Sequence, residues 1–206
     1  MEILIYENGP FMVNSYLVIN KETSACFILD PGFEVNPLLE KIRSDKLNLE
    51  AIIATHGHID HVEGVNAIKK KYPVPFMVNE LDKPLLETIP VQARMFGVPD
   101  PGVPVPDANL PTEGNITVAG LTLELLYTPG HSRGSVSIQI DSVVFSGDAL
   151  FNFSIGRTDL PGGDYVELIS SIKEKLFTLP DDIRVLPGHG PETTIGREKT
   201  MNPFFN

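Results

Sequence analysis

The 206-residue sequence has one cysteine, no tryptophan and few basic residues. The single cysteine, Cys26, excludes a framework of intrachain disulfides and any zinc site built from several thiolates. Lysine and arginine together number 16 against 27 aspartates and glutamates, so the formal net charge is −11. This balance argues against nucleic acid or an anionic membrane surface as a partner, because both attract basic surfaces.

Long apolar runs and a secretory leader are also missing. No window approaches the roughly 18 consecutive apolar residues of a membrane span, so no membrane segment is predicted. The first residues lack the basic start and the apolar stretch of a signal peptide, and we therefore expect a cytoplasmic location. A hydrophobic fraction of 42% is enough for a packed core, and the length predicts one domain over residues 1–206.

Strand-rich stretches precede helices in both halves of the sequence. β-Branched and aromatic residues predict strands over Glu2–Tyr6, Phe11–Ile19, Ser24–Leu29, Glu50–Thr55, Val74–Val78, Ile116–Val118, Thr122–Tyr127, Val136–Ile140, Val143–Ser146 and Ile183–Leu186. Apolar residues at helical spacing predict helices over Leu38–Lys46, Val62–Tyr72, Tyr165–Leu176 and Thr194–Met201. Two packed sheets covered by helices would satisfy this order, which indicates the α/β class.

The middle of the sequence is rich in proline. Residues Glu80–Phe96 predict a helical region that Pro84 and Pro90 interrupt. Five prolines then fall within the thirteen residues Pro99–Pro111, which favours an extended surface segment over a helix.

All five histidines follow predicted strands. Three of them lie in the segment Thr55–His61, which follows the strand Glu50–Thr55, and His131 and His189 each follow a later strand. Asp60 lies within the first segment and Asp148 follows Val143–Ser146. Since strand ends at one edge of a sheet can converge, we expect these side chains to meet. Imidazole and carboxylate together suit a borderline divalent metal such as Zn²⁺, Fe²⁺ or Mn²⁺.

The spacing of these residues favours two metal ions over one. His56 and His58 point to the same side of an extended segment and can bind one ion, while Asp60 and His61 begin the next helix and can reach a second ion. Seven ligands exceed what a single tetrahedral zinc accepts, whereas two ions with Asp148 between them would use them all. We expect Asp60 and Asp148 to take part in catalysis as well.

With Thr55-His56-Gly57-His58-Ile59-Asp60-His61 followed by His131, Asp148 and His189, the sequence resembles the metallo-β-lactamase superfamily. The resemblance implies a four-layer αβ/βα sandwich of two mixed sheets flanked by helices, with the metals at the sheet edges. It also implies that His56, His58 and His131 form one metal site, that Asp60, His61 and His189 form the other, and that Asp148 bridges them.

Two further segments resemble the glyoxalase II-like, or hydroxyacylglutathione hydrolase-like, branch in its short form. They are Gly156–Asp164 and Leu186–Thr194. Full-length glyoxalase II has a C-terminal helical domain that binds glutathione. Only 17 residues follow His189 here, so that domain is not expected. Antibiotic hydrolysis is not expected either, because common class B β-lactamases use a cysteine near the Asp148 position.

The resemblance implies hydrolysis of a glutathione-type or other small acyl thioester. Metal binding lowers the pKa of water to about 7, so a metal-bound hydroxide could attack the carbonyl at neutral pH. One alternative is a mononuclear iron persulfide dioxygenase with His56, His131 and Asp148 as a facial triad. A minor alternative is a metal-binding protein without catalysis. The substrate is a small molecule in either enzyme, and the oligomeric state is left open.

Three other residues are candidates for the site. Arg157 could hold a substrate carboxylate or form an ion pair with Asp159 or Asp164. Arg133 is a weaker candidate for substrate contact. Asp30 could orient the metal loop or simply serve the turn Asp30-Pro31-Gly32.

Overall fold

Two six-stranded mixed sheets pack face to face in the computed structural model, which describes residues 1–206. The strands are β1 (Glu2–Asn8), β2 (Val13–Ile19), β3 (Ala25–Leu29), β4 (Asn48–Ile53), β5 (Phe76–Val78), β6 (Ala108–Asn109), β7 (Gly114–Val118), β8 (Leu121–Tyr127), β9 (Val136–Ile140), β10 (Val143–Gly147), β11 (Leu150–Phe151), β12 (Ser154–Ile155), β13 (Arg184–Pro187) and β14 (Thr193–Thr194).

Seven α-helices complete the architecture. They are α1 (Asn36–Ser44), α2 (Ile59–Val62), α3 (Val65–Lys69), α4 (Lys83–Glu87), α5 (Ile89–Phe96), α6 (Tyr165–Ser171) and α7 (Ile195–Met201). A 3₁₀ turn, Glu80–Asp82, precedes α4, and a π-helical turn, Ile172–Leu176, continues α6. No helix is long and apolar enough to cross a membrane.

Each sheet combines antiparallel and parallel pairs. The first sheet has the order β1-β2-β3-β4-β5-β6, with parallel pairing from β3 onward. The second has the order β14-β13-β10-β9-β8-β7, in which only β10 and β13 are parallel. The short β11–β12 hairpin stands apart from both sheets.

Three apolar clusters divide the molecule into four layers. The cluster between the sheets joins side chains such as Phe27 and Ile53 of the first sheet to Leu123 and Phe145 of the second. A second cluster packs α1 to α5 on the outer face of the first sheet, and a third packs α6 and α7 on the outer face of the second. The expected αβ/βα sandwich is therefore confirmed.

Proline marks where helices begin in the region Glu80–Phe96. Pro84 and Pro90 lie in the first turns of α4 and α5, where a backbone N–H would have no partner inside the helix. The predicted interruption thus takes the form of two consecutive helices.

Three predicted elements differ from the structure. The helix expected over Val62–Tyr72 is reduced to α3, because α2 ends at Val62 and the chain approaches Val35 at Gly64, where a Cβ atom would lie only 2.2 Å from that residue. The strand expected from Phe11 begins at Val13, because Met12 adopts a left-handed conformation with φ of 53°. The proline-rich segment ends in β6, which pairs with β5 and was not predicted.

Tyr16 connects the two sheets close to a histidine loop. It is buried in β2, its ring packs edge-on against Phe145 at 5.0 Å, and its hydroxyl donates a 2.6 Å hydrogen bond to the Pro187 carbonyl. Asn14 donates to the same carbonyl at 3.0 Å and to that of Gly190 at 2.8 Å. The end of β13 is thereby fastened to the first sheet.

We predict that Tyr16→Phe lowers the free energy of unfolding by about 1 kcal/mol, because it removes one buried hydrogen bond and leaves the ring packing intact. Urea denaturation would measure the change. Tyr165→Phe is the matched control, since Tyr165 is 49% exposed, and we expect it to change stability by less than about 0.5 kcal/mol. Equal effects of the two variants would contradict the role assigned to the Tyr16 hydroxyl.

Candidate metal centre

The seven side chains named from the sequence meet at one edge of the sandwich. His56 and His58 lie in the loop after β4, and Asp60 and His61 lie in α2. The other three side chains follow strands of the second sheet: His131 follows β8, Asp148 follows β10 and His189 follows β13. The two sheets therefore contribute to one site through loops at the same edge.

Three imidazoles form the first group. Nε2 of His131 lies 2.8 Å from Nδ1 of His58 and 3.2 Å from Nε2 of His56. All three rings are buried. A single cation placed among the three nitrogens would meet all of their lone pairs.

The second group combines imidazole and carboxylate. Nε2 of His189 lies 3.3 Å from Oδ2 of Asp60, and Nε2 of His61 lies 3.3 Å from Oδ1 of Asp148. The other oxygen of Asp148 is 3.5 Å from Nε2 of His131 and 3.6 Å from Nε2 of His189. Asp148 thus faces both groups, one oxygen toward His61 and the other toward His131 and His189.

Unpartnered buried atoms test whether this set of donors suits a metal. Nε2 of His61 and Oδ1 of Asp148 are buried and have no hydrogen bond. Three sets of ligand atoms each lie within 4.8 Å of one another: His56, His58 and His131; His56, His61 and Asp148; and Asp60, His61 and His189. Buried polar atoms without partners are costly, and nitrogen and carboxylate oxygen are the donors that borderline divalent ions accept. The arrangement therefore fits divalent cations.

Hydrogen bonds on the outer side of the rings decide which nitrogen faces the site. Nδ1 of His131 donates to the carbonyl of Arg157 at 2.8 Å, and Nδ1 of His189 donates to the carbonyl of Phe11 at 3.0 Å. A carbonyl can only accept, so each Nδ1 carries the proton and each Nε2 presents a lone pair inward.

Asp30 forms hydrogen bonds to Thr55, at the start of the loop that carries His56 and His58. Its Oδ1 accepts from the backbone N–H of Thr55 at 2.7 Å, and its Oδ2 accepts from the Thr55 hydroxyl at 2.9 Å. Nδ1 of His61 lies 3.1 Å from the same Oδ2. Asp30 is buried and holds the left-handed conformation, with φ of 52°, at the end of β3. The contacts made by this carboxylate therefore reach both the loop and one imidazole of the site.

Asp82 makes the corresponding contacts for the first group, and sequence reasoning missed it. Its buried carboxylate accepts from the N–H of Gly57 at 2.9 Å, from the N–H of Gly134 at 2.7 Å and from the Ser132 hydroxyl at 2.7 Å. A Cβ atom at Gly134 would lie 2.7 Å from the carboxyl carbon, so only glycine permits this approach. One carboxylate thus joins the His56–His58 loop to the His131 loop. No motif surrounds Asp82 in the sequence that would have revealed it.

Burial and neighbouring charges separate the protonation states of the side chains. Burial, aided by nearby His131, lowers the pKa of His58 to about 3, so its ring is neutral at pH 7 and keeps a lone pair. Burial also lowers the pKa of His56. Burial opposes protonation of His61 as well, but the carboxylates of Asp148 and Asp30 hold its pKa above the usual value. A cation in the site would replace that proton as the counter-charge.

The two candidate arginines have different environments. Arg157 donates two 2.7 Å hydrogen bonds to Asp159, through Nε and one terminal nitrogen. Of the two roles expected for Arg157, substrate binding and an ion pair, the structure shows the ion pair. Both side chains are exposed, and such a pair adds little stability. Arg133 has no acidic partner within ion-pair distance and lies at the wall of a cavity of about 790 Å³ that opens over the metal centre.

The chain matches the family model described as the metallo-beta-lactamase superfamily over residues 8–189. It is 43% identical to hydroxyacylglutathione hydrolase GloC of Haemophilus influenzae, over 100% of this chain and 99% of that protein.

Two crystal structures are similar over nearly their full length. BLEG-1, described as a B3 metallo-beta-lactamase, has a TM-score of 0.92 at 36% identity, with 100% of each chain covered. TTHA1623 in a di-iron-bound form has a TM-score of 0.89 at 39% identity, with 98% of this chain and 99% of that chain covered.

We predict that Asp82→Asn weakens metal binding about 10- to 100-fold, because an amide cannot accept from three donors while its own N–H₂ faces backbone N–H groups. Competition with a chelator, followed by elemental analysis, would measure the change. The matched control is Asp107→Asn, since Asp107 also accepts from a backbone N–H, that of Phe76, but lies away from the site. If both variants retain metal equally, Asp82 does not position the histidine loops.

Proposed function

The chain belongs to the metallo-β-lactamase superfamily, and on that basis we propose that it is a metal-dependent hydrolase of small acyl thioesters. The observation that carries the proposal is the position of Asp148 between two groups of donors at the floor of an open cavity. Two ions close together are a recognised arrangement for hydrolysis. The relative named hydroxyacylglutathione hydrolase supports a thioester as the substrate.

We assign the ligands as the sequence suggested. His56, His58 and His131 would hold one ion, Asp60, His61 and His189 would hold the other, and Asp148 would contact both. The di-iron form of the relative TTHA1623 supports two ions and makes iron a candidate beside zinc and manganese. When bound, the ions would lower the pKa of a bound water to about 7 and act as a Lewis acid on the substrate carbonyl.

The chain's own side chains would orient the reactants. Asp60 and Asp148 line the cavity, and a carboxylate there can accept a hydrogen bond from the attacking water and direct its lone pair at the carbonyl. His131 and His189 are held in one tautomer by the backbone carbonyls behind them, so these rings need not reorganise during the reaction. A thiol has a pKa near about 8.5 and leaves as the thiolate, so no general acid is required.

We expect metal-free protein to hydrolyse no thioester and to regain turnover when Zn²⁺, Fe²⁺ or Mn²⁺ is added. Asp148→Ala and His58→Ala should each lower kcat by more than about 100-fold, because each removes a donor at the reacting centre. The hydrolysis of lactoylglutathione and of neutral acyl thioesters would be followed spectrophotometrically. Glu124→Ala is the control, since Glu124 is an exposed carboxylate on β8.

Two outcomes would contradict the thioesterase proposal. One is thioester turnover that survives complete removal of the metal. The other is turnover of a β-lactam such as nitrocefin with no turnover of any thioester, which would place this chain with BLEG-1 in activity as well as in fold.

One specific observation favours a second candidate, an iron-dependent persulfide dioxygenase. Nε2 of His131 lies 3.2 Å from Nε2 of His56 and 3.5 Å from Oδ2 of Asp148, so two histidines and one carboxylate adjoin as a facial triad requires. The same atoms serve both chemistries, and the number and kind of bound ions distinguish them.

Protein purified without oxygen should contain about two divalent ions and consume no oxygen with glutathione persulfide if it is a hydrolase. Elemental analysis and an oxygen electrode would measure both quantities. One iron per chain together with oxygen uptake would establish the dioxygenase in its place.

A further inference from the structure

One wall of the cavity above the metal centre is an apolar helix surface. Val91 and Met95 lie one turn apart on α5, 54% and 72% exposed, and Phe96 ends the same helix. Leu81 and Leu85 continue this wall toward α4. A contiguous apolar surface open to solvent is unusual and indicates that something apolar covers it.

Apolar side chains also face this wall from other elements. Phe11 lines the cavity and packs edge-on against Phe96, with the ring centres 5.1 Å apart. Phe151 of the β11–β12 hairpin and Leu160 line it as well. The cavity therefore has apolar side chains on more than one side, and its aspartate and histidine side chains lie at the metal centre.

The cavity offers few free cationic side chains to hold the charged groups of a ligand. Arg133 and Arg157 are its only cationic side chains apart from the histidines, and Arg157 is already paired with Asp159. The carboxylates of Asp60 and Asp148 would be balanced by the bound cations, and that of Asp82 is buried and hydrogen-bonded, so these three groups do not add free negative charge to the lining. A glutathione moiety carries two carboxylates and one ammonium group, and this lining offers its carboxylates one free guanidinium.

We propose that the thioester accepted by this site carries an uncharged apolar chain, which lies against α5 with the reacting carbonyl over the metal centre. This inference rests on the proposed thioesterase activity for the reaction, whereas the apolar wall itself does not depend on it. The chain belongs to either the acyl or the thiol side of the thioester, and substrates that carry it on one side or the other distinguish the two.

Three neutral substrates test the proposal on the metal-loaded protein. They are S-acetyl-N-acetylcysteamine, S-hexanoyl-N-acetylcysteamine and S-hexyl thioacetate, with lactoylglutathione as the charged comparison. Each buried CH₂ adds up to about four-fold in binding, so we expect one six-carbon substrate to exceed the acetyl compound at least about ten-fold in kcat/KM. The preferred six-carbon compound identifies the side of the thioester that carries the chain.

A double variant and a matched control assign the preference to α5. The double variant Val91→Gln, Met95→Gln places good helix formers at both positions but removes apolar side chains from the wall. It should lower the ratio of six-carbon to acetyl kcat/KM about ten-fold. Val166→Gln leaves that ratio at the wild-type value, because Val166 is also exposed, at 76%, but lies on α6 outside the cavity. Circular dichroism of all variants would verify that they fold.

Binding provides a readout that does not need turnover. The neutral thioether N-acetyl-S-hexylcysteamine cannot be hydrolysed, and calorimetry should show saturable binding with a negative heat-capacity change. The double variant should weaken this binding about ten-fold, whereas Val166→Gln should leave it unchanged.

Failure of the apolar-chain proposal can be distinguished from failure of the proposed thioesterase reaction. Equal kcat/KM for acetyl and six-carbon thioesters, a preference for lactoylglutathione, or a double variant that behaves as the wild type would each overturn the apolar-chain proposal. If no thioester is hydrolysed but the thioether binds and the double variant loses it, the proposed reaction fails while the apolar chain on α5 stands.

Discussion

The molecule depends on satisfying seven polar side chains at the seam between its two sheets. Imidazole rings and carboxylates buried this close together repel or leave lone pairs unused unless a counter-charge lies among them. Asp148 is the centre of this constraint, because its two oxygens face different imidazoles from different loops. Cations placed between these atoms would remove the conflict and fasten both sheets to one another.

Hydrogen bonds from residues around the site also restrict the loops that carry its histidines. Asp30 and Asp82 accept from backbone N–H groups of the histidine loops, so the loops have little freedom to change the spacing of their rings. On the other side, Tyr16 and Asn14 hold the end of β13, from which His189 projects. Sheet packing and site geometry are thus two aspects of the same set of contacts, and a disturbance of either affects the other.

The cavity separates two kinds of interaction. Its floor holds the aspartate and histidine side chains, while α5 and the hairpin around Phe151 supply apolar surface. Polar groups in such a pocket fix the orientation of a ligand and apolar walls supply much of its affinity. This division allows the reaction to be defined by the floor and the choice of substrate by the wall.

The content of β-branched and aromatic residues predicted most strands of the sandwich, because short apolar runs of these residues are a local signal, as in Val143–Ser146. The extents of helices were less predictable. One predicted helix is shortened near Gly64, where the chain approaches Val35, and that approach depends on a contact remote in sequence. The two-residue β6 carries too few residues for any periodic pattern.

By itself, the sequence determined which side chains meet at the candidate metal centre, since the spacing within Thr55–His61 and the positions of His131, Asp148 and His189 after strands are local properties. Only the tertiary structure decided how these residues are held and what lies above them. Asp82 reaches Gly134 across 52 positions of the chain, and Tyr16 reaches the Pro187 carbonyl across 171. Hydrogen bonds and cavity walls between distant segments exist only once the two sheets have packed, and for that reason no sequence pattern records them.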